Sequence, residues 1–179
     1  GAGIALYTGR RAPQDQDSPH GPSVGTVGVM QVPQGSVNVV PGRCQFTLDL
    51  RAPTNRQRDE LVEDVDAFVY TVARRRGVEI ELIQHLQAAA APSDPAWRAR
   101  WEAAVAALGL PVYRLPSGAG QDAMKLHAAL PQAMLFVRGL NAGISHNPLE
   151  STTADDMQSR ELVSTLALPR YPFISLLAT

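Results

Sequence analysis

A long capped helix with a single apolar stripe constrains the fold of this chain more than any other feature. Thr54 is a typical N-cap residue, and the helix it begins is predicted to run to about Arg76, with Gly77 as its stop. The apolar residues of this segment share one stripe: Leu61, Val62, Val65, Phe68, Val69 and Val72. A helix of this kind must bury its stripe against a second layer, so we expect the segments around it to supply a sheet.

The segments on either side of this helix alternate between apolar and polar residues, which predicts strands. The clearest is residues 43–51, whose apolar face collects Cys44, Phe46, Leu48 and Leu50. Residues 24–32, 36–40 and 78–86 are predicted as further strands. We therefore expect a small antiparallel α+β layer over residues 23–90, with the helix covering its apolar face.

A different pattern follows an alanine-rich linker at residues 88–92. Ser93 or Asp94 caps a predicted helix that ends at Gly109. Its buried stripe is predicted to be Trp97, Trp101, Val105 and Leu108. A strand over 112–115, a helix over 122–130 and a strand over 133–137 come next. This order is typical of a parallel sheet, so the fold class predicted for the chain is α/β, with residues 91–158 as its parallel part.

Composition limits the kinds of partner. The chain has 179 residues, 45% of them hydrophobic, which suffices for one domain or two small ones. A net charge of −1 argues against nucleic acid and anionic lipid as partners, and no apolar run approaches the roughly 20 residues that span a bilayer. Cys44 is the only cysteine, so no intrachain disulfide and no thiolate zinc cage are expected. We expect a cytoplasmic location, since the N-terminus lacks a signal-peptide pattern.

The two ends of the chain carry weaker patterns. Residues 1–22 lack hydrophobic periodicity and are predicted to be poorly ordered. Residues 159–179 are predicted to form an atypical tail, because the prolines after Leu168 interrupt any helix.

One histidine stands out as a candidate for chemistry. His146 lies on a loop that starts at Gly143, after an apolar strand and before a segment rich in Ser, Thr and Asp. This position is typical of a metal-ligating or catalytic imidazole, and Glu150 is near enough to fix the ring. An ordinary surface histidine is the alternative, and it is the interpretation we give to His20, His85 and His127. No local metal motif such as His-x-x-x-His or Cys-x-x-Cys occurs in the sequence.

A second candidate site combines an arginine, an amide and a glycine turn. The guanidinium of Arg51 could hold a carboxylate in bidentate fashion, with Asn38 adding a neutral amide. An Asp49–Arg51 pair on an exposed sheet face is the alternative. Gly118 and Gly120 precede a predicted helix, where backbone N–H groups could face an anion.

Four ordered motifs give the chain a family resemblance. They are Val27-Gly28 with Ser36–Gly42, then Phe46–Arg51, then Pro116–Met124, and finally Gly143–Glu150. Over about Val24 to Met157 the chain resembles the C-terminal half of the M20-type metal-dependent amidases. Within that family it is most similar to the hydantoinase/carbamoylase branch, which includes N-carbamoyl-L-amino-acid hydrolases and allantoate amidohydrolases.

This resemblance implies an enzyme that hydrolyses linear amide or ureido C–N bonds through a metal-bound water. The intact family enzyme has a catalytic α/β domain with two divalent ions (zinc, or manganese, cobalt or nickel) and a smaller lid domain. Residues 23–90 would be part of that lid and would form a homodimer, and residues 91–158 would be the end of the catalytic domain. His146 would be the last metal ligand. The small ureido or carbamoyl substrate would bind Asn38, Arg51, Gly118, Gly120 and Gln121.

The chain also departs from the family pattern. The other metal ligands and the catalytic glutamate belong to the N-terminal half, so we assign no catalytic residue here and do not expect this chain alone to bind both ions fully. Gln121 stands where the family usually has histidine. The predicted parallel sheet would also lack flanking strands. We expect the isolated chain to be inactive. A non-catalytic association module, or an aminoacylase- or peptidase-like specificity, is the alternative.

Overall fold

The computed structural model describes residues 2–15, 17–18 and 20–168 of the chain. Five α-helices are present there: α1 (Ala2–Arg11), α2 (Asn55–Arg76), α3 (Pro95–Ala107), α4 (Asp122–Leu126) and α5 (Ala154–Ala167). Four short strands accompany them: β1 (Val24–Thr26), β2 (Met30–Gln31), β3 (Gln45–Phe46) and β4 (Asp49–Arg51). The predicted α/β class is confirmed, as a mixture of helices and small antiparallel sheets. Within the described ranges no helix is both long and apolar enough to cross a membrane.

The capped helix predicted from the sequence is α2, and both of its ends are confirmed. Thr54 Oγ1 accepts the N–H of Gln57 at 3.2 Å, which satisfies one of the free donors of the first turn. Gly77 has the left-handed conformation (φ 62°), and its N–H donates to the Ala73 carbonyl. The centre of the stripe is fully buried, with Leu61, Val65 and Val69 at most 1% exposed.

The sheet next to α2 consists of two short ribbons. β1 pairs antiparallel with β4, and β2 with β3. Between them, Val29 donates its N–H to the side-chain hydroxyl of Thr47 (3.1 Å) in place of a backbone carbonyl, so the ladder is interrupted there. The predicted alternation is confirmed for Phe46, Leu48 and Leu50, which pack on the core, whereas Cys44 is exposed.

Four predicted strands are absent from the described residues. Residues 36–40 form a turn closed by a single bridge between Ser36 and Val39. Residues 78–86 have no ladder partner in the described part of the chain, and Leu86 is 80% exposed. The same holds for 112–115 and 133–137, so the predicted parallel sheet is not formed by the described residues. The physical reason is that alternation makes a strand only where a neighbouring edge accepts its hydrogen bonds.

The prediction of a poorly ordered segment over residues 1–22 is wrong for its first half. The helix α1 packs on α2, burying Ile4 and Ala12, and Tyr7 stacks on Phe68 with ring centroids 4.0 Å apart. Thr8 is also buried, and its hydroxyl donates a hydrogen bond to the Ile4 carbonyl at 3.0 Å. A helix of only ten residues gives too few turns for its periodicity to be recognised in the sequence.

Contacts divide the described chain into two compact units. The first unit extends to Ala90 and also includes Leu115–Gly120. The second unit comprises Ala91–Arg114 and the described chain from Gln121 onward. The segment Leu115–Gly120 packs closely in the first unit. At Gly21, where φ is 98°, an added Cβ would lie 2.9 Å from Pro116 Cγ. The assignment of residues 23–90 to a lid and 91–158 to a catalytic domain stays a prediction.

The second unit has its own core between α3 and α5. Asp94 caps α3 as predicted, accepting the N–H groups of Ala96 and Trp97. The buried residues of this core are Ala104, Val163 and Ala167. The predicted atypical tail is therefore wrong over residues 159–167, which belong to the regular helix α5 capped by Thr153. Residues 169–179 lie outside the described residues.

Candidate functional site

The first candidate site is built on β4. Arg51 donates from Nε to Asp49 Oδ1 (2.9 Å) and from Nη2 to Asp49 Oδ2 (2.5 Å), a bidentate pair between side chains two residues apart on one face of the strand. Both side chains are 50% exposed. The hydrogen bonds that Arg51 donates to Asp49 lower the pKa of Asp49 and raise the pKa of Arg51. The surface pair that the sequence left open is thus present in the structure.

The glycine turn also reaches this arginine. Arg51 Nη1 donates to the Gly118 carbonyl at 2.8 Å, across 67 residues of sequence. The turn therefore offers Arg51 a carbonyl oxygen, in contrast to the N–H groups that the sequence predicted for an anion. These bonds use three of the five guanidinium N–H donors and leave two among the described contacts. Gly120 lies on the same turn and is exposed.

Asn38 lies apart from this cluster in its hydrogen bonding. It sits in the turn between Ser36 and Val39, where its Oδ1 accepts the Ser36 hydroxyl at 3.2 Å. The side chains of Val37 and Val40 beside it are fully and 90% exposed. The surrounding loop borders an open pocket of about 280 Å³ lined by residues 33–36 and 39–43. Among the described contacts no hydrogen bond joins Asn38 to Arg51.

The second candidate site, in the second unit, is the His146 loop. His146 has the left-handed backbone conformation (φ 56°), which costs a residue with a side chain about 1–2 kcal/mol. Its N–H donates to Glu150 Oε2 at 2.8 Å. Sequence reasoning expected Glu150 near the imidazole ring, but the carboxylate holds the backbone instead. The loop is closed at its base, where Leu140 donates its N–H to the Ser151 carbonyl at 2.8 Å.

Two asparagines brace this loop, and sequence reasoning missed both. Asn147 accepts from the backbone N–H of Glu150 at its carbonyl (2.9 Å) and from that of Leu149 at its Oδ1 (3.0 Å). Asn141, itself left-handed at φ 50°, donates from Nδ2 to the Leu149 carbonyl at 2.7 Å. The available signal was residue type, because asparagine tolerates this conformation and bonds to nearby backbone.

The remaining residues predicted for the site are Gln121 and the other three histidines. Gln121 is half-buried and precedes α4 without capping it through its side chain. It belongs to the second unit, whereas Gly118 and Gly120 belong to the first. His20, His85 and His127 are exposed.

The described residues do not fit a metal centre by themselves. No group of three or more His, Cys, Asp and Glu side chains among them is arranged to hold an ion. His146 is exposed, and the nearby carboxylate of Glu150 is engaged with the backbone. A catalytic zinc takes about three protein ligands, so one imidazole is too few.

An arginine paired beside a glycine turn, and a histidine on a braced loop, are the features on which the family resemblance was based. Residues 11–167 match the family described as Peptidase family M20/M25/M40, and the chain belongs to this family. The predicted resemblance is confirmed.

Particular relatives place the chain more closely. It is 35% identical over 136 residues to the N-carbamoyl-L-amino acid amidohydrolase of Geobacillus stearothermophilus, which covers 76% of this chain and 33% of that protein. It is 27% identical over 133 residues to the allantoate amidohydrolase of Bacillus subtilis, covering 74% and 32%. The crystal structure of an amidase of the hydantoinase/carbamoylase family from Burkholderia multivorans matches with a TM-score of 0.84 and 31% identity, over 93% of this chain and 39% of that one. The chain thus spans about a third of the length of these curated relatives.

Proposed function

We propose that this chain is part of a hydrolase of linear amide or ureido C–N bonds, of the N-carbamoyl-L-amino acid or allantoate type. The observation that carries the proposal is the oriented guanidinium of Arg51, held by Asp49 and by the Gly118 carbonyl with two N–H donors left over. The names of the relatives support the substrate class.

In this proposal Arg51 binds the carboxylate of the substrate. Asp49 accepts from one edge of the guanidinium and Gly118 from Nη1, so the plane of the fork is fixed before a substrate arrives. Asp49 is ionised at neutral pH, and its lowered pKa extends the ionised form, and with it this orientation, to more acidic conditions. The Arg51 side chain then loses little further conformational freedom when a substrate carboxylate binds, which favours binding. Asn38 would add neutral amide N–H donors in the same role, since its Oδ1 already accepts the Ser36 hydroxyl.

We further propose that His146 supplies one ligand of a divalent-metal centre, with the remaining ligands and the general base outside the described residues. The isolated chain should then show no turnover. Gly118, Gly120 and Gln121 would line the substrate site. A cytoplasmic location and a homodimer formed through the first unit complete the proposal; the single, exposed Cys44 is in keeping with a reducing compartment.

One observation favours a second candidate, a non-catalytic association module. Among the described residues, no group of three or more His, Cys, Asp and Glu side chains is arranged to hold an ion. The exposed valines at the tip of the loop, Val37 and Val40, would then serve contact with another copy of the chain.

The full-length protein tests the two candidates directly. We expect it to hydrolyse an N-carbamoyl-L-amino acid or allantoate, measured by release of the amino product or ammonia. Arg51→Gln should raise KM roughly 10- to 100-fold with little change in kcat, because a charged contact to bound substrate is lost. Arg56→Gln is the matched control, since Arg56 pairs with Glu60 on the exposed face of α2.

Two results would overturn the proposal. Absence of hydrolysis of either substrate class by the full-length protein would favour the association module. Equal KM values for the Arg51 and Arg56 variants would remove Arg51 from the substrate site while leaving the reaction class standing.

A further inference from the structure

The carboxylate of Glu150 is directed at the backbone of the residue that would carry chemistry. Its Oε2 accepts the His146 N–H at 2.8 Å, four residues earlier in the chain. A glutamate in a loop that only solvated the surface would leave this N–H to water. Here a negatively charged acceptor is committed to one backbone donor, which makes a short, strong hydrogen bond.

The backbone that this bond holds is one that histidine rarely adopts. His146 has φ 56°, in the left-handed region that few residues with a Cβ adopt. Asn141 and Ala142, at the start of the loop, are also left-handed. Such conformations persist where the surroundings fix them, and they cluster at functional sites. Release of the N–H would allow residue 146 to return to the ordinary region, and the direction of its side chain would change with the backbone.

Glu150 is itself held in place. Its N–H donates to the Asn147 carbonyl at 2.9 Å, which closes a tight turn over residues 147–150. The Oδ1 of Asn147 accepts the N–H of Leu149 within the same turn. The turn therefore holds the backbone of Glu150 against residue 147, next to His146.

We propose that Glu150 is a positioning residue, which sets the direction of the His146 imidazole by fixing the backbone beneath it. The proposal deepens the function proposed above and rests on it for the role of His146. The contact itself is independent of that role. Because the acting group is a hydrogen-bond acceptor, a neutral amide at position 150 should serve nearly as well as the carboxylate, whereas a methyl group should not.

Four variants of the full-length protein test this: Glu150→Ala, Glu150→Gln, His146→Ala and, as control, Glu161→Ala. Glu161 is an exposed glutamate of α5 in the same unit, with no side-chain hydrogen bond or ion pair among the described contacts. The first readout is amide hydrogen exchange at residue 146. We expect it to speed up roughly tenfold in Glu150→Ala, the factor that a net hydrogen bond of ordinary strength represents, and to stay unchanged in Glu161→Ala.

The second readout is hydrolysis of an N-carbamoyl-L-amino acid. Glu150→Ala should lower kcat at least tenfold with KM nearly constant, and Glu150→Gln should recover most of that loss. Tryptophan fluorescence checks that each variant keeps the second unit folded, since both tryptophans lie in α3.

Each other outcome has a defined meaning. Unchanged exchange at residue 146 in Glu150→Ala, or equal kcat in Glu150→Ala and Glu161→Ala, overturns the positioning role. A Glu150→Gln variant as impaired as Glu150→Ala overturns the hydrogen-bond explanation. Full activity of His146→Ala overturns the function proposed for His146 instead, and the exchange measurement still decides whether Glu150 holds that backbone.

Discussion

At the scale of single residues, spacing along the chain predicted only some of the contacts that the side chains make in the fold. Asp49 and Arg51 are two apart on a strand, so their pairing on one face was among the expected outcomes. The Gly118 carbonyl that completes the environment of Arg51 is 67 residues away, and no local pattern indicates it. The left-handed backbone of His146, whose N–H donates to Glu150, was also not predicted, because no local pattern in the sequence indicates it.

The Asp49–Arg51 pair makes a prediction about titration. Since folding lowers the pKa of Asp49, the pair stabilises the fold above the ordinary aspartate pKa near 3.8, and this contribution is lost as the pH falls through the lowered value. Arg51→Gln should raise the pKa of Asp49 toward the ordinary value, followed by carboxyl-carbon NMR during an acid titration. Arg56→Gln should leave it where it is; a similar rise in that variant would mean that general charge, not the paired guanidinium, sets the pKa.

At the scale of elements, α2 and α3 were predicted well, whereas α1, the helical residues 159–167 and most of the strands were not. The bounds of α2 and the start of α3 follow from caps and stripes contained within the segment itself. A strand, by contrast, needs an edge supplied from elsewhere. Part of residues 43–51 pairs with such an edge, in β3 and β4. Residues 78–86 and 133–137 have no ladder partner among the described residues.

The N-terminus of α2 offers a quantitative test. Thr54 Oγ1 accepts the Gln57 N–H and donates to Gln57 Oε1 (2.9 Å), and Gln57 Nε2 continues to Ser18 Oγ (3.0 Å) and the Gly21 carbonyl. Thr54→Ala should therefore lower the free energy of unfolding by about 1 kcal/mol, measured by urea denaturation followed by helical circular dichroism.

Thr71 provides the matched control. It is an exposed threonine within α2 whose hydroxyl returns to the Ala67 carbonyl. Thr71→Ala should change the free energy of unfolding by less than about 0.5 kcal/mol, because alanine is the better helix former and no cap is lost. An equal loss in both variants would show that the effect comes from removing a threonine side chain from the helix and not from the loss of the cap.

At the scale of the whole molecule, sequence reasoning recovered the class and the family but not the sheet. The α/β class, the α2 layer and the linker near Ala90 were predicted, and the family match confirms the resemblance. The regular helix over residues 159–167 was not predicted, because its stability comes from burying Val163 and Ala167 against Ala104, a contact that spans nearly sixty positions.

The core of the second unit can be tested within α5. Val163 is 3% exposed and its neighbour Leu162 is 48% exposed, so the two differ in burial on one helix. Val163→Ala should cost about 2 kcal/mol of unfolding free energy, from lost burial and the cavity left behind. Tryptophan fluorescence during urea denaturation reports on this unit, because Trp97 and Trp101 lie in α3.

Leu162→Ala serves as the comparison and should shift that transition by less than about 0.5 kcal/mol. A shift as large as that of the Val163 variant would show that the exposed face of α5 is covered by another part of the protein.

The return of Leu115–Gly120 to the first unit has a consequence for the order in which the protein matures during synthesis. Arg51 leaves the ribosome well before Gly118, and 67 residues must be added before their hydrogen bond can form. At translation rates of about 5–20 residues per second, the delay is roughly 3 to 13 s. Helix α2 is made within that interval, and until Gly118 has been added the guanidinium of Arg51 can pair with Asp49 but not with the Gly118 carbonyl. The surroundings of Arg51 are therefore the last part of the first unit to be finished, after the whole of α3 in the second unit has been made.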